Sequence, residues 1–115
     1  MRSGGLDFYA HYTYTVGMAA LRFVWDPAKG RANLRKHGVA FEEAVTVFVD
    51  ERGLLLADPD HSETEERFLL LGISSSLRAL VVIHVYREAE EEIRIISARK
   101  ATPREERTYA ERWER

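Results

Sequence analysis

One group of polar residues in this chain has the spacing of a helix face. Four residues of the segment "PAKGRANLRKHG" fall at i, i+4, i+7 and i+8: Lys29, Asn33, Lys36 and His37. On a helix this spacing places all four side chains on one side. Lysine and histidine can bind phosphate and can transfer protons. The segment therefore predicts a polar, cationic helix face suited to a phosphate backbone, and the alternative is an ordinary solvated surface.

A second group of basic residues lies in segments that have strand character. Arg67 follows an acidic loop, and "EEIRIISARK" contains Arg94, Ser97 and Arg99. Ser97 and Arg99 share one face of a regular strand, whereas Arg94 points the other way unless a bulge intervenes. The planar guanidinium group binds two phosphate oxygens at once and keeps its charge. These arginines are therefore candidates for phosphate binding, and the alternative is that they form ion pairs with nearby glutamates.

Cleavage of RNA by its own 2′-OH needs little beyond these residue types. The protein must align the attacking oxygen, stabilise the charged phosphorane and protonate the leaving 5′-oxygen. Histidine or lysine can carry out the proton transfers. The motifs of serine hydrolases, P-loop proteins, zinc metalloproteases and dinucleotide-binding folds are absent from the sequence.

Three further features have a structural and a functional interpretation. His84 lies in an apolar strand, where a core residue is more typical than a catalyst. Trp25 is more typical of the core than of base stacking. The acidic loop at residues 58–66 has oxygen ligands suited to Ca²⁺ or Mg²⁺, but its spacing matches no EF-hand. We expect neither a metal nor another cofactor, and a solvated loop is the favoured interpretation.

The composition is that of one globular domain. The chain has 115 residues, of which 45% are hydrophobic and 31% charged. It has no cysteine, which excludes disulfides and thiolate zinc sites. The longest apolar run, at residues 79–83, is far shorter than the roughly 20 residues that cross a bilayer. We therefore expect a cytoplasmic protein that does not bind membranes.

Charge is distributed unevenly along the chain, whose net charge is −2. Residues 22–37 contain five Lys or Arg and one acid, whereas residues 39–68 contain nine acids and two Arg. This pattern argues against a uniformly basic nucleic-acid-binding protein. It favours a molecule with one cationic and one anionic surface, and the anionic surface suits a basic protein partner.

The candidate residues must be positioned by helices whose ends are encoded locally. Asp26 and Pro27 predict a helix start, because Asp accepts hydrogen bonds from the first N–H groups and Pro fits the first turn. Gly38 predicts the end of that helix. Residues 102–105, "TPRE", match a capping box at the start of a C-terminal helix. The packing stripe of this last helix is predicted at Tyr109 and Trp113.

Strands are predicted at residues 22–25, 53–57, 67–73, 79–86 and 92–99, and a second helix begins near Phe41. That helix carries apolar residues at i, i+3, i+4 and i+7: Phe41, Ala44, Val45 and Phe48. The predicted fold class is α+β, with an antiparallel sheet of about four strands packed against two N-terminal helices and one C-terminal helix.

The first 20 residues differ from the remainder. They show no helical periodicity and no secretory signal, so residues 21–115 are predicted to form the single domain. We expect residues 1–20 to be an extension that is disordered or foreign to the natural protein, with Met18 as an alternative start. A β-type arm is the other interpretation.

Four blocks of sequence, in this order and spacing, resemble the BrnT family: "FVWDPAKGRANLRKHGVAFEEA", "DPDHSETEERFLLLG", "LVVIHVYRE" and "IRIISARKATPREERTYAE". The resemblance covers about residues 22–110. It implies a RelE-like fold and a bacterial toxin of a type II toxin–antitoxin pair that cuts RNA and blocks translation. It also implies a BrnA-like antitoxin with a ribbon-helix-helix DNA-binding domain, in a heterotetramer that represses its own promoter.

The resemblance also assigns motif positions. These are Trp25, Asp26, Lys29, Asn33, Lys36, His37, Gly38, Glu66, Arg67, Arg94, Ser97, Ala98 and Arg99. This chain departs from the family pattern at Ala40, where serine would be the better helix N-cap by about 1 kcal/mol.

From these observations we expect a metal-independent endoribonuclease that uses the 2′-OH. Arg67 and Arg99 would bind the phosphate and its transition-state charge, and Lys36 or His37 would orient RNA or transfer a proton. The other predicted RNA-binding residues are Lys29, Asn33, Arg94, Ser97 and Trp25.

Several alternatives stay open at this point. One is a catalytically inactive module that binds a partner or nucleic acid, and another is a metal-dependent hydrolase that uses the acidic loop. The RNA preference, the need for the ribosome and the oligomeric state, whether homodimer or heterotetramer, are not decided by the sequence.

Overall fold

The computed structural model describes residues 10–16, 19–58, 66–87 and 91–112. These residues form three helices and one six-stranded sheet, and a short 3₁₀ turn, Val47–Val49, continues the second helix. The strands are β1 (Ala10–Val16), β2 (Ala19–Trp25), β3 (Leu54–Ala57), β4 (Phe68–Ile73), β5 (Ala79–Arg87) and β6 (Glu92–Lys100). The helices are α1 (Pro27–His37), α2 (Phe41–Thr46) and α3 (Pro103–Glu111).

Both ends of α1 and the start of α3 lie where the sequence predicts them. The Asp26 carboxylate accepts a hydrogen bond from the Ala28 N–H, and Gly38 ends α1 in the left-handed region at φ 72°. Only glycine adopts this backbone conformation without steric cost. At α3 the capping box is complete: Thr102 Oγ1 accepts from the Glu105 N–H, and the Glu105 carboxylate accepts from the Thr102 N–H.

The second helix is shorter than its apolar pattern suggests. Phe41, Ala44 and Val45 are buried, but the helix changes to the 3₁₀ turn after Thr46. Its N-cap residue, Ala40, makes no side-chain hydrogen bond, as the sequence predicts. Packing against the sheet therefore stabilises α2 more than its own ends do.

The sheet has the strand order β1-β2-β6-β5-β4-β3. Strands β4, β5 and β6 form an antiparallel meander, with β5 in the interior of the sheet. The sequence predicts an antiparallel sheet of about four strands, whereas the structure has six strands and is mixed. Strand β2 pairs with β6 in parallel, and residues 10–16 of the N-terminal extension add β1 at the edge. Hydrophobic periodicity does not encode strand direction, which explains why the parallel pair was not predicted.

One irregularity in β6 changes which side chains share a face. Ile83 pairs with Ser97, but the next residue, His84, pairs with Ile95. Ile96 is therefore the extra residue of a β-bulge.

The two faces of the sheet are covered differently. On the first face, helices α1 and α2 pack over a core that includes Phe23, Phe41, Leu80, Val82 and Ile95. On the second face, α3 covers only a corner, where Tyr109 packs on Leu71 and Val81. Trp113, the other residue of the predicted stripe, lies outside the described residues, as do residues 1–9.

Candidate functional site

A pocket brings together charged residues from three separate segments of the chain. Its charged lining is Asp26, Lys29, Arg67 and Arg94, and its apolar lining is Ile95 and Ile96. Three cations and one carboxylate give the pocket a net positive formal charge. Such a pocket suits a phosphate group, since guanidinium and ammonium groups bind phosphate oxygens.

Helix α1 supplies one wall of this pocket. Asp26 follows the last residue of β2 and caps the helix, which fixes its position at the parallel β2–β6 junction. Lys29 lies in the first turn of α1 and is exposed. The wall therefore depends on the parallel pairing of β2 with β6.

The sheet supplies the two arginines. Arg94 pairs with Val85 of β5, and Arg67 precedes Phe68, the partner of His84. By continuation of the register, Arg67 lies opposite Val85 from the other side, so the two arginines flank one buried valine. The Nε atoms of both guanidinium groups are shielded from solvent.

The bulge at Ile96 decides the direction of Arg94. In a regular strand, Arg94 would point away from Ser97 and Arg99. Because the bulge adds one residue, all three side chains face away from the core residues Ile95 and Ala98. The sequence leaves this point open, and the structure resolves it: Arg94 lies on the same face as Arg67.

Arg99 is engaged within the protein. Its two terminal nitrogens donate to the two carboxylate oxygens of Glu105 at 2.8 and 2.9 Å. The hydrogen bonds from Arg99 hold the pKa of Glu105 down to about 2, and Glu105 in turn raises the pKa of Arg99. The ion-pair alternative therefore applies to this arginine, which joins β6 to α3.

Asn33 is buried at the edge of β6, not exposed on the helix face. Its Nδ2 donates to the carbonyl oxygens of Val39 and Ala98, at 2.9 and 2.8 Å. Its Oδ1 accepts from the Ala98 N–H at 3.1 Å. All three hydrogen bonds are internal, so the structure places Asn33 in the architecture of the fold.

Trp25 is likewise buried, at 5% exposure. Its ring packs edge-on against Phe41 at 6.0 Å between centroids, and Tyr12 of β1 lies over it at 6.4 Å. The structure therefore places Trp25 in the core.

Lys36 and His37 lie in the last turn of α1. Lys36 is exposed and His37 is half-buried. Seven residues separate Lys29 from Lys36, about 10 Å along the axis and on the same side of the helix. The two residues therefore extend the cationic side of α1 beyond the pocket.

His84 lies in the core, between the rings of Phe48 and Phe68. Burial lowers its pKa to about 4, opposed by a hydrogen bond with the Val82 carbonyl oxygen. The imidazole is therefore neutral at pH 7. Of the two interpretations, the structure supports the core residue.

Two polar clusters that the sequence did not suggest hold the helices in place. Arg78 pairs with Glu43 and donates to the Gly38 carbonyl oxygen, which connects α1, α2 and the β4–β5 turn. The hydrogen bond from Arg78 lowers the pKa of Glu43. Asp50 accepts from Tyr109 Oη at 2.6 Å and from the Ile73 N–H at 2.8 Å. Burial would raise the pKa of Asp50, but these hydrogen bonds lower it.

Asp26 is the pocket residue whose proximity to the arginines the sequence did not reveal. The available signal, an acidic residue between a strand and a proline, predicted only a helix cap. Residues 59–65 of the acidic loop lie outside the described residues, so the cation-binding alternative is untested. Within the described ranges, His, Asp and Glu residues form no cluster of three or more that could hold a metal ion.

Comparison with known proteins identifies the family. The model of the family described as "Ribonuclease toxin, BrnT, of type II toxin-antitoxin system" matches residues 25–105. This range contains the whole pocket and also Asn33, Lys36, His37 and Arg99. No individual curated protein matches the chain. In the part of the chain that the structure describes, no helix has the length and apolar character needed to cross a membrane.

Proposed function

Because the chain belongs to the BrnT family of ribonuclease toxins of type II toxin–antitoxin systems, we propose that it is an endoribonuclease whose scissile phosphate binds in the Lys29–Arg67–Arg94 pocket. The observation that carries the proposal is the meeting of these three cations with Asp26 in one pocket. Residues from the start of α1, from the position before β4 and from β6 converge there, although they lie up to 68 positions apart in the chain.

The geometry supports a division of roles within the pocket. Arg67 and Arg94 bind the non-bridging oxygens and stabilise the charge that develops on the phosphorane. Their shielded position strengthens this interaction, since water screens charges less where it is excluded. The planar guanidinium group is suited to binding two phosphate oxygens at once, so the scheme assigns these two residues to phosphate binding and not to proton transfer.

Proton transfer then falls to the other two residues. The 2′-OH attacks phosphorus, and its proton passes to the Asp26 carboxylate. The bond to the 5′-oxygen breaks, and that oxygen receives a proton from Lys29. The products are a 2′,3′-cyclic phosphate and a 5′-OH, and every atom comes from the RNA and these side chains. No metal ion is required by this scheme.

Lys36 and His37 serve a different purpose in this proposal. They bind phosphates of the same strand outside the pocket, because they lie on the same side of α1 about two turns further on. Arg99, which pairs with Glu105, positions α3, and Asn33 and Trp25 support the fold.

Membership of the family implies an antitoxin. We propose a BrnA-like ribbon-helix-helix antitoxin that neutralises the protein in the cytoplasm, and that the free toxin inhibits translation by cutting mRNA. The acidic segment of the chain, residues 39–68, would favour a basic antitoxin by charge complementarity.

The proposal is tested by incubating the purified protein with RNA in the presence of EDTA and identifying the new ends. We expect cleavage that gives 2′,3′-cyclic phosphate and 5′-OH ends, and no cleavage of the 2′-deoxy analogue. Arg67→Ala should reduce the rate at least 100-fold. Arg31→Ala is the matched control, because Arg31 is an exposed arginine in the middle of α1.

Folding of each variant is checked by circular dichroism. Full activity of Arg67→Ala, or equal loss in Arg31→Ala, would contradict the assignment of the pocket. Activity that disappears with EDTA would contradict the metal-independent scheme.

A further inference from the structure

We propose that three residues beside the pocket, Leu69, Ile83 and Ser97, form a base-binding shelf for the nucleotide next to the scissile phosphate. This inference rests on the proposed function, because the adjacent pocket must hold the phosphate of the same RNA. The occupant is the base of a single-stranded RNA.

The register of the sheet places these three side chains in one row. Leu69 pairs with Ile83, and Ile83 pairs with Ser97. Leu69 and Leu71 face the same side, since they are two residues apart in β4, and Leu71 packs under Tyr109 of α3. The row therefore lies on the second face of the sheet, the face that carries Arg67 and Arg94.

The shelf lies directly next to the pocket. On β5, Ile83 is two residues from Val85, the residue that Arg67 and Arg94 flank. Two residues along a strand correspond to about 6.7 Å. This distance allows a base to rest on the shelf while its own phosphate remains between the arginines.

Helix α3 sets the far limit of the shelf. The next row along the strands contains Leu71 and Val81, which α3 buries with Tyr109, and Arg99, which pairs with Glu105. Leu69, Ile83 and Ser97 are each partly exposed. Among the residues that the structure describes, these three partly exposed side chains lie between the arginines and α3.

The chemistry of the row suits a base. The two aliphatic side chains give an apolar surface for the flat face of the ring, through dispersion contacts. The Ser97 hydroxyl both donates and accepts, so it can meet an edge of the base. A base within an RNA duplex is stacked and paired, and only an unpaired base can lie flat on this surface.

Charge favours RNA over an apolar protein segment as the occupant. A protein segment that covered the Leu69 and Ile83 side chains would also approach the three cations of the pocket. Its backbone would supply no anions to meet those cations. A nucleotide supplies the apolar ring and the phosphate together.

The test measures binding without cleavage. The ligands are a fluorescent pentanucleotide of 2′-O-methyluridine, which lacks the attacking hydroxyl, and an abasic oligomer with the same number of phosphates. Affinities are measured by anisotropy for the wild type, Ile83→Ala, Ser97→Ala and Leu55→Ala. Leu55 is the matched control, because it is a 57% exposed aliphatic residue on β3, at the far edge of the sheet.

We expect the wild type to bind the uridine ligand at least fivefold more tightly than the abasic ligand. Ile83→Ala should reduce the ratio of the two affinities by lowering the affinity for the uridine ligand alone. Ser97→Ala should have the same effect to a smaller extent. Leu55→Ala should leave the ratio unchanged. A wild-type ratio near one, or an Ile83→Ala variant that weakens both ligands equally, would overturn the shelf.

The same assay separates the shelf from the phosphate pocket. Arg67→Ala should weaken both ligands by a similar factor, because both carry phosphates. If Arg67→Ala changes neither affinity while the Ile83-dependent ratio persists, the phosphate-pocket assignment fails, and only the contact between Ile83 and the base is supported.

Discussion

The side-chain amide of Asn33 forms two hydrogen bonds with the backbone of one residue, Ala98. Its Nδ2 donates to the Ala98 carbonyl oxygen, and its Oδ1 accepts from the Ala98 N–H. The parallel pairing of β2 with β6 reaches only from Glu92 to Arg94, so Ala98 lies beyond that ladder. Asn33 thus supplies the hydrogen bonds that a neighbouring strand would supply, and it fixes α1 against β6.

Asn33→Ala should destabilise the protein, because it leaves buried backbone groups of Val39 and Ala98 without their partner. We expect a loss of about 3 kcal/mol in the free energy of unfolding. Urea denaturation measures this loss. Asn33→Asp should also destabilise, since a carboxylate cannot donate to the two carbonyl groups. An Asn33→Ala protein with wild-type stability and weakened RNA binding would instead make Asn33 an RNA-binding residue.

Glu105→Gln should reduce the stability of the protein at pH 7 by about 1 kcal/mol, because the partly exposed ion pair with Arg99 is lost. The pKa of Glu105 is about 2, below its ordinary value of 4.5. Its stabilising contribution is therefore complete above about pH 4.5 and is lost as the pH falls toward 2.

The difference in unfolding free energy between wild type and Glu105→Gln should accordingly shrink between pH 4.5 and 2. Urea denaturation at several pH values measures it. A constant difference over this range would show that the charge of Glu105 does not contribute. Glu106→Gln is the matched control, since Glu106 is exposed and lies in the same helical turn.

Acid should destabilise the protein through His84. Its folded pKa of about 4 lies below the ordinary value of 6.5. Between these two pH values the unfolded chain binds the proton and the folded protein does not, so stability falls as the pH decreases from 6.5 to 4. This shift of the pKa corresponds to a loss of about 3 kcal/mol in the free energy of unfolding between these two pH values.

Urea denaturation at pH 7 and pH 4.5 measures this effect. His84→Leu places a residue that binds no proton at this buried position. The decrease in its unfolding free energy between the two pH values should therefore be smaller than in the wild type. RNA cleavage by His84→Leu should be unaffected if the variant is folded. Loss of cleavage by a stably folded variant would give His84 a functional role.

Lys36→Ala should weaken RNA binding without affecting the chemical step. Each phosphate contact to single-stranded RNA adds about 0.7 to the slope of log affinity against log salt. We expect this variant to reduce the slope by about that amount and to leave the cleavage rate at saturating RNA unchanged. Arg35→Ala, a change of the neighbouring exposed residue, is the control. If Lys36→Ala greatly lowered the cleavage rate at saturating RNA, Lys36 would take part in the chemical step.

The predicted cationic helix face shows what helical spacing predicts and what it leaves undetermined. The i, i+4, i+7 and i+8 pattern correctly describes residues on one side of α1. It cannot distinguish the part of that side that meets solvent from the part that meets the β6 edge. Asn33 is buried there because an amide can bond to backbone groups, whereas Lys29 and Lys36 beside it remain exposed.

The sequence by itself determined the local features of this protein. The start of α1 at Asp26 and Pro27, its end at Gly38 and the capping box of α3 depend on neighbouring residues alone. The four-block resemblance likewise identified the family, because it depends on residue type and order.

Only the tertiary structure decided which basic residues meet. The parallel β2–β6 pairing places Asp26 and Lys29 beside the sheet. The register of β4, β5 and β6 places Arg67 and Arg94 on either side of Val85, and the bulge at Ile96 puts Ser97 and Arg99 on the same face as Arg94. Glu105, brought back by α3, takes Arg99 into an ion pair. These relationships depend on strand order, on register and on the path of α3, which arise from contacts between residues distant in the chain and leave no periodic signal in it.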